Sequence, residues 1–110
     1  MKYFCTVNER KGTSYLEFYK GKWDNKTFWK SDSLLLDFDI YADFDLYKAF
    51  AAAIPGFDPH GVFEVNRSQW ETVLDYASKM DTGAEMVLAE AVEWVEETLK
   101  QEGMFTILGI

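Results

Sequence analysis

The spacing of apolar residues changes partway along this chain, and the change restricts the folds that the chain can adopt. As far as residue 41, aromatic and β-branched residues occur in short runs separated by polar turn segments, as in strands. Beyond residue 43, apolar residues recur at helical spacing, as on the buried face of a helix. A chain of 110 residues has enough surface to bury for one core. We therefore predict a single α+β domain over residues 1–110, with an N-terminal antiparallel β-meander followed by helices packed on the sheet and a C-terminal strand.

Four strand-like runs make up the predicted meander: residues 2–8, 14–20, 26–30 and 34–40. The first two runs flank a polar turn segment and are predicted to form a hairpin. Side chains alternate between the two faces of a strand. In the fourth run, Asp37, Asp39 and Tyr41 are therefore predicted to share the face opposite the apolar one, where they meet solvent or a partner. Cys5 in the first run is predicted to be a buried, unreactive thiol.

Helix caps and stops divide the second part of the chain. Asp43 is predicted to cap a helix that ends before Pro55. Ser68 and Thr82 each precede a glutamate by three residues, which is the spacing of a capping box, and are predicted to begin two more helices. The last helix is predicted to continue to Gly103. Further strands are predicted at residues 62–65 and 104–110. The second of these strands is apolar, so we expect it to insert into the sheet.

Acidic and basic residues are distributed unevenly. Residues 1–30 contain seven Lys or Arg and three acidic residues, whereas residues 31–110 contain sixteen acidic residues and four basic ones. The net charge of the whole chain is −8. Such a charge favours a basic partner and repels bare nucleic acid, so no direct nucleic-acid contact is expected. The residues predicted to contact the partner lie on the fourth strand, near the next helix, in the loop after it and on the last helix: Asp37, Asp39, Tyr41, Asp43, Asp45, Asp58, Glu90, Glu93 and Glu97.

The segment at residues 34–39 resembles the first motif of haloacid-dehalogenase-type phosphatases, in which an apolar strand ends in two aspartates separated by one residue. The resemblance implies a nucleophilic Asp37, an acid/base Asp39 and a magnesium ion. The chain continues with Ile, Tyr and Ala at residues 40–42, where that family has a tight glycine turn, and a lone short motif carries little weight. We therefore predict that the protein is not an enzyme.

Four aspartates that are close in sequence raise the alternative of a divalent-cation site: Asp37, Asp39, Asp43 and Asp45. Their spacing matches no calcium loop. Asp43 and Asp45 are instead explained as residues that cap and begin a helix, where negative charge is favourable. His60 is the only histidine, so clusters of histidine ligands are excluded. We predict no cofactor and no bound metal.

Four aromatic residues are not assigned to the core by the sequence: Trp23, Trp29, Phe57 and Trp94. Large aromatic side chains are buried by default. Any of the four that is exposed beside acidic residues is a candidate anchor for a partner, because buried aromatic side chains dominate binding energy at interfaces.

In its size, acidity and lack of a catalytic motif, the chain resembles bacterial immunity proteins, the small antitoxins that bind and block the toxic domain of an interbacterial effector. The resemblance implies a basic toxin domain as the partner, often a nuclease, and inhibition by steric and electrostatic occlusion. The first residues are too short and polar for a secretion signal and no apolar run is long enough to span a membrane, so a cytoplasmic protein is expected. Two alternatives stay open: an acidic mimic of nucleic acid that inhibits a DNA-binding enzyme, and a small regulatory domain that self-associates through its C-terminal strand. The sequence leaves the oligomeric state undetermined.

Overall fold

Five antiparallel strands form one sheet in the computed structural model, which describes residues 1–109. The strands are β1 (Phe4–Cys5), β2 (Tyr15–Lys20), β3 (Leu34–Asp37), β4 (Val62–Asn66) and β5 (Met104–Gly109), in the spatial order β1-β3-β2-β5-β4. The helices are α1 (Phe38–Asp43), α2 (Leu46–Ala53), α3 (Arg67–Ser78), α4 (Ala84–Ala89) and α5 (Val92–Glu102), and a short 3-10 turn spans Val7–Glu9. The predicted α+β class is confirmed.

The predicted hairpin between the first two runs is wrong. Strand β1 pairs with β3, with Phe4 opposite Leu36, while β2 pairs with β3 on one side and β5 on the other. Three successive leucines in β3 are buried, which is the pattern of a strand that is covered on both faces. Residues 26–30 form no strand, because Asn25 and Trp29 have positive φ angles of 66° and 60°, outside the extended region.

The C-terminal strand inserts into the sheet, as predicted. Strand β5 lies between β2 and β4, and residues 105–108 are all buried. The predicted strand also included Ile110, which lies outside the described residues. The predicted strand at residues 62–65 is confirmed as β4, which forms one edge of the sheet.

The fourth predicted strand ends three residues early because Asp37 caps a helix. An Asp37 carboxylate oxygen accepts a hydrogen bond from the backbone N–H of Asp39 at 2.7 Å, and α1 begins at the residue between them. The predicted cap at Asp43 is wrong, since Asp43 is the last residue of α1. Asp45 precedes α2 in a left-handed conformation, with φ of 52°, and its side chain makes no cap bond. The predicted end of this helix before Pro55 is confirmed.

The two predicted capping boxes are also misplaced. Helix α3 begins two residues early, because Asn66 and Gln69 form the box with bonds of 2.8 and 3.0 Å. Thr82 makes no cap; its hydroxyl donates to the Phe44 carbonyl at 2.8 Å. The predicted long helix is two helices, α4 and α5, interrupted at residues 90–91. Its predicted end is confirmed, because Gly103 adopts the left-handed conformation that closes a helix.

The two faces of the sheet are covered differently. On one face, the helices pack against β2 and β5, where Phe18 and Phe105 have ring centroids 5.1 Å apart and Trp70 lies 5.7 Å from Phe105. On the other face, alternate residues of β2 meet the loop at residues 21–33. Tyr15 contacts the Trp29 ring edge-on at 6.2 Å, for example. Both faces of β2 are therefore buried. Within residues 1–109, no helix is long and apolar enough to cross a membrane.

Candidate functional site

A fully buried carboxylate fastens the loop at residues 21–33 to the sheet. Glu17, on β2, accepts hydrogen bonds from the backbone N–H groups of Trp29 and Lys30 at 2.8 and 3.0 Å and from the Ser33 hydroxyl at 2.5 Å. A buried carboxylate must be paired with a cation or hydrogen-bonded. Here three hydrogen-bond donors stabilise the charge of Glu17. This role of Glu17 was not predicted from the sequence. The available signal was a single acidic residue inside the apolar run of residues 15–19.

The end of this loop forms an acidic cleft of about 390 Å³ against helix α5 and the N-terminal segment. We define the acidic cleft by its main lining residues: Asp32, Glu90, Glu93, Trp94 and Glu97. The Trp94 ring N–H donates to the Asp32 carbonyl at 3.0 Å, which joins α5 to the loop. The structure thus brings together three predicted partner-binding residues and one of the unassigned aromatics.

Two of the three glutamates in the acidic cleft point outward. Glu93 and Glu97 are exposed and lie one turn apart on α5. Glu97 accepts a hydrogen bond from the side chain of Gln101 at 2.8 Å. Neither glutamate makes a salt bridge within the part of the chain that the structure describes. Their charge is therefore available to a partner.

Glu90 has a structural role instead. Its carboxylate accepts hydrogen bonds from the backbone N–H groups of Lys2, Tyr3 and Phe4 at 2.8, 2.8 and 3.0 Å, which holds the N-terminal segment against the break between α4 and α5. Burial raises the pKa of Glu90, but the three hydrogen bonds outweigh burial and leave this pKa below its ordinary value. The predicted partner contact at Glu90 is therefore reassigned to holding the chain together.

Tyr41 lines a second site, a mostly apolar depression of about 350 Å³, and Asp58 lies in the chain between two of its lining residues, Phe57 and Pro59. We call this depression the aromatic pocket and define it by its lining residues: Tyr41, Ala42, Tyr47, Ala51, Phe57 and Pro59. Tyr41 is buried, contrary to its predicted position on an open face. Burial, together with the nearby Asp58 and Tyr47, raises the pKa of Tyr41 to about 12, so its hydroxyl stays protonated at neutral pH.

The remaining predicted contacts lie in neither site. Asp37 caps α1 and borders a third depression beside Lys11, and Asp39 and Asp43 are exposed on α1. Asp45 lies 3.8 Å from the Lys48 ammonium group. The four aspartates thus do not converge. Within residues 1–109, no three Asp, Glu, His or Cys side chains are placed to hold a metal ion.

Resemblance to the phosphatase motif does not extend to the sheet, which is antiparallel where that family requires parallel strands. His60 stacks on the Phe38 ring at 5.4 Å, and its backbone N–H donates to the Asp58 carboxylate at 2.9 Å. Cys5 is half-buried rather than buried, and partial burial together with the nearby Glu9 raises the pKa of its thiol.

All four unassigned aromatics are half-buried. Trp94 lines the acidic cleft and Phe57 lines the aromatic pocket. Trp23 and Trp29 belong to the loop that covers the sheet. There the Trp23 ring N–H donates to the Thr27 carbonyl at 2.6 Å, and the Arg10 guanidinium lies 4.3 Å from the Trp29 ring. Two of the four are therefore placed where a partner could reach them.

No protein family matches this chain. No curated protein and no solved structure is significantly similar to it either. The geometry of the acidic cleft and the aromatic pocket therefore carries the functional argument.

Proposed function

We propose that this protein is an immunity protein that acts in the cytoplasm, binds a basic toxin domain and blocks it without any catalysis of its own. The observation that carries the proposal is the acidic cleft, where two exposed carboxylates flank a half-buried tryptophan. Inhibitor surfaces combine an aromatic anchor with surrounding charges in this way. The net charge of −8 would also attract a basic domain.

The local chemistry of the cleft supports a protein partner. Trp94 rests on the core through Phe18 and Phe105, at 6.2 and 5.9 Å between ring centroids, so its position is fixed before binding. A fixed aromatic loses little conformational entropy when a partner covers it. Glu93 and Glu97 can then pair with Lys or Arg around that anchor, which gives specificity and speeds the encounter.

The two alternative functions have less support. Strand β5 has paired strands on both sides, so it offers no free edge for self-association. A mimic of nucleic acid would need a regular double row of acids. Here the exposed acids are scattered, with Glu93 and Glu97 on α5 and Asp39 and Asp43 on α1, and Lys20 lines the acidic cleft.

Charge reversal in the acidic cleft tests the proposal. The double variant Glu93→Lys/Glu97→Lys is compared with Glu71→Lys/Asp75→Lys, which reverses two exposed acids at the same spacing on α3. Each tagged protein captures partners from a lysate of the source bacterium at about 50 and 500 mM salt, where the screening length falls well below 10 Å at the upper value. Circular dichroism confirms that each variant is folded.

The expected result is that wild-type protein and the α3 control capture one basic domain at low salt and lose it at high salt. The cleft variant should bind that domain at least about 10-fold more weakly, because opposed charges become like charges. Equal capture by the cleft variant would contradict the proposal for this site. Capture of a DNA-binding enzyme in place of a toxin domain would favour mimicry.

A further inference from the structure

The two edges of the sheet differ in how their backbone groups are used. At the β1 edge, the N–H groups of Lys2, Tyr3 and Phe4 donate to the Glu90 carboxylate, which closes that edge to a further strand. At the other edge, no strand pairs with the outer side of β4 in the part of the chain that the structure describes. Residues 62–66 contain neither lysine nor proline, the residues that commonly protect an exposed edge. Strand β4 is therefore the open edge of this sheet.

The register of β4 shows which backbone groups of the open edge are free. Hydrogen-bonded pairs alternate along an antiparallel ladder. The Gly109 N–H donates to the Gly61 carbonyl at 2.9 Å, so these two residues form such a pair, and the groups of Phe63 also point toward β5. The N–H and C=O groups of Val62 and Glu64 therefore point away from β5. No other backbone group within residues 1–109 bonds to them.

The side chains of the open edge indicate the chemistry of a strand that fits it. Val62 and Glu64 project from one face of β4, where Val62 is 48% exposed and Glu64 is also exposed. Glu64 makes no salt bridge within residues 1–109. Opposite charges and well-packed apolar pairs on neighbouring strands stabilise a sheet. The fitting strand therefore carries a lysine or arginine beside Glu64 and an apolar residue beside Val62.

A second copy of this chain is a poorer occupant of the open edge. An antiparallel pairing of two β4 strands through Val62 and Glu64 places the two Glu64 side chains directly opposite or diagonally adjacent on one face. Like charges at such positions destabilise a sheet. Each copy also carries a net charge of −8, which adds to the repulsion. A partner strand with a positive charge avoids both effects.

The open edge lies at the same end of the sheet as the acidic cleft. Lys20, which lines the cleft, is opposite Phe105 in β5, and Phe105 is opposite Val65 in β4. Two strand spacings, about 10 Å, separate β2 from β4. Arg67, the first residue after β4, pairs with Glu96 on α5 at 2.9 Å. One partner protein can therefore contact the cleft and the open edge together.

We propose that the open edge binds an extended segment of the partner protein as an additional antiparallel strand, with a lysine or arginine of that segment beside Glu64. An extended backbone presents donors and acceptors at the spacing of the free groups of Val62 and Glu64. Main-chain hydrogen bonds then supply affinity, and the side chains beside Val62 and Glu64 supply specificity. The assignment of the segment to the basic partner rests on the proposed function; the geometry of the open edge does not.

A peptide titration of the isolated protein tests the open edge without any knowledge of the partner. The probe is acetyl-Thr-Val-Thr-Lys-Thr-Val-Thr-amide, which is rich in strand-forming residues and has its lysine at the centre. One comparison peptide has glutamate in place of the lysine, and another carries a methyl group on the lysine backbone nitrogen, which removes a donor. ¹H–¹⁵N NMR spectra are recorded up to about 5 mM peptide, so that a millimolar dissociation constant is measurable. Glu64→Gln removes the charge of the edge, and Glu71→Gln, at an exposed position on α3, is the matched control.

The expected result is a saturable shift of the Val62 and Glu64 amide signals with the lysine peptide, and slower hydrogen exchange of both amides. The glutamate peptide should bind at least about 3-fold more weakly, because a favourable cross-strand charge pair becomes an unfavourable one. That preference should vanish in Glu64→Gln and persist in Glu71→Gln. The N-methyl peptide should bind at least about 5-fold more weakly to all three proteins, because a main-chain hydrogen bond is lost.

The proposal is overturned if the lysine peptide shifts no signal in β4, if the N-methyl peptide binds as tightly, or if Glu64→Gln leaves the preference for lysine unchanged. Shifts confined to the acidic cleft would also overturn it, because they would show attraction by charge alone. If the Val62 and Glu64 amides become protected as the protein concentration rises without peptide, a second copy occupies the edge and the proposed occupant is wrong.

Failure of this titration and failure of the proposed function are distinguishable. None of the titration outcomes requires Glu93 or Glu97, so a negative titration leaves the acidic cleft standing. Conversely, normal partner capture by the Glu93→Lys/Glu97→Lys variant would count against the acidic cleft and leave the peptide titration unaffected.

Discussion

Replacing Glu17 by glutamine should loosen the loop that forms one wall of the acidic cleft. The substitution keeps the size and shape of the side chain and removes the charge. One carboxylate oxygen accepts the Trp29 N–H, and the other accepts the Lys30 N–H and the Ser33 hydroxyl. A glutamine has a single acceptor oxygen. In either orientation of the amide, its NH2 group faces the backbone N–H of Trp29 or of Lys30, and a backbone N–H cannot turn toward another acceptor.

The size of the effect follows from these contacts. One buried N–H left without an acceptor costs about 1–3 kcal/mol, and each remaining bond weakens from about 1.5–3 to about 0.5–1.5 kcal/mol when the acceptor loses its charge. Relief from burying a charge offsets part of this loss. We expect a net destabilisation of about 3 kcal/mol. For a chain of this size, that corresponds to a fall of roughly 12–15 °C in the unfolding midpoint.

Urea unfolding followed by far-UV circular dichroism measures the loss, with Glu64→Gln as the control. Glu64 is an exposed strand glutamate, so its substitution should change stability by less than about 0.5 kcal/mol. Hydrogen exchange gives a local test, because the amides of Trp29 and Lys30 should lose protection in Glu17→Gln. If the Glu17 variant is as stable as the control and both amides stay protected, the carboxylate does not hold the loop.

Two further predictions concern other contacts of the fold. In Gly109→Ala, the added methyl group would overlap the Pro59 carbonyl and the His60 backbone. Urea unfolding should therefore show that the free energy of unfolding falls by about 1–3 kcal/mol. An unchanged urea midpoint would mean that the loop containing Pro59 and His60 moves away without cost. Hydrogen bonds lower the pKa of Glu90 in the folded protein. The stabilisation that the Glu90 carboxylate gives to the fold is therefore fully present above the pKa of the unfolded state, and it is lost as the pH falls through the pKa of the folded state. Glu90→Gln should therefore be less stable than wild type at pH 7 and lose less stability when urea unfolding is repeated near pH 3; equal losses on acidification would contradict the role given to Glu90.

Features that depend on local chemistry could be predicted from the sequence. The end of α2 before Pro55 and the end of α5 at Gly103 follow from the backbone preferences of those two residues. Strand β5 follows from an apolar run that could not remain in water. In the candidate site, Glu93 and Glu97 were found because an acidic helix face at helical spacing is visible in the sequence.

Features that depend on distant contacts could not be predicted. One local feature was also missed: the alternation at residues 34–40 fits a strand, but the hydrogen bond from the Asp39 backbone N–H to the Asp37 carboxylate ends the strand. The pattern at residues 82–103 fits one helix, yet it is interrupted where Glu90 turns to the N-terminal segment, more than eighty residues away in sequence. The meeting of Trp94 with Asp32 likewise depends on the fold of the whole chain. The sequence shows where acidic residues lie along the chain. It does not show whether their carboxylate oxygens already accept hydrogen bonds within the fold.

The carboxylates of this protein therefore fall into two groups that should behave differently under mutation. Glu17, Glu90 and Asp37 accept backbone N–H groups, so their removal lowers stability and reduces binding only by depleting or distorting the folded form. Glu93 and Glu97 make no such bonds within residues 1–109, so their reversal acts on the encounter with a charged partner and depends on salt. A scan of all acidic residues would mix these effects and point to the wrong surface. The affinity per folded molecule, measured at low and high salt, separates the two groups. Salt screens the charge effect of Glu93 and Glu97, whereas the effect of losing an internal hydrogen bond remains at high salt.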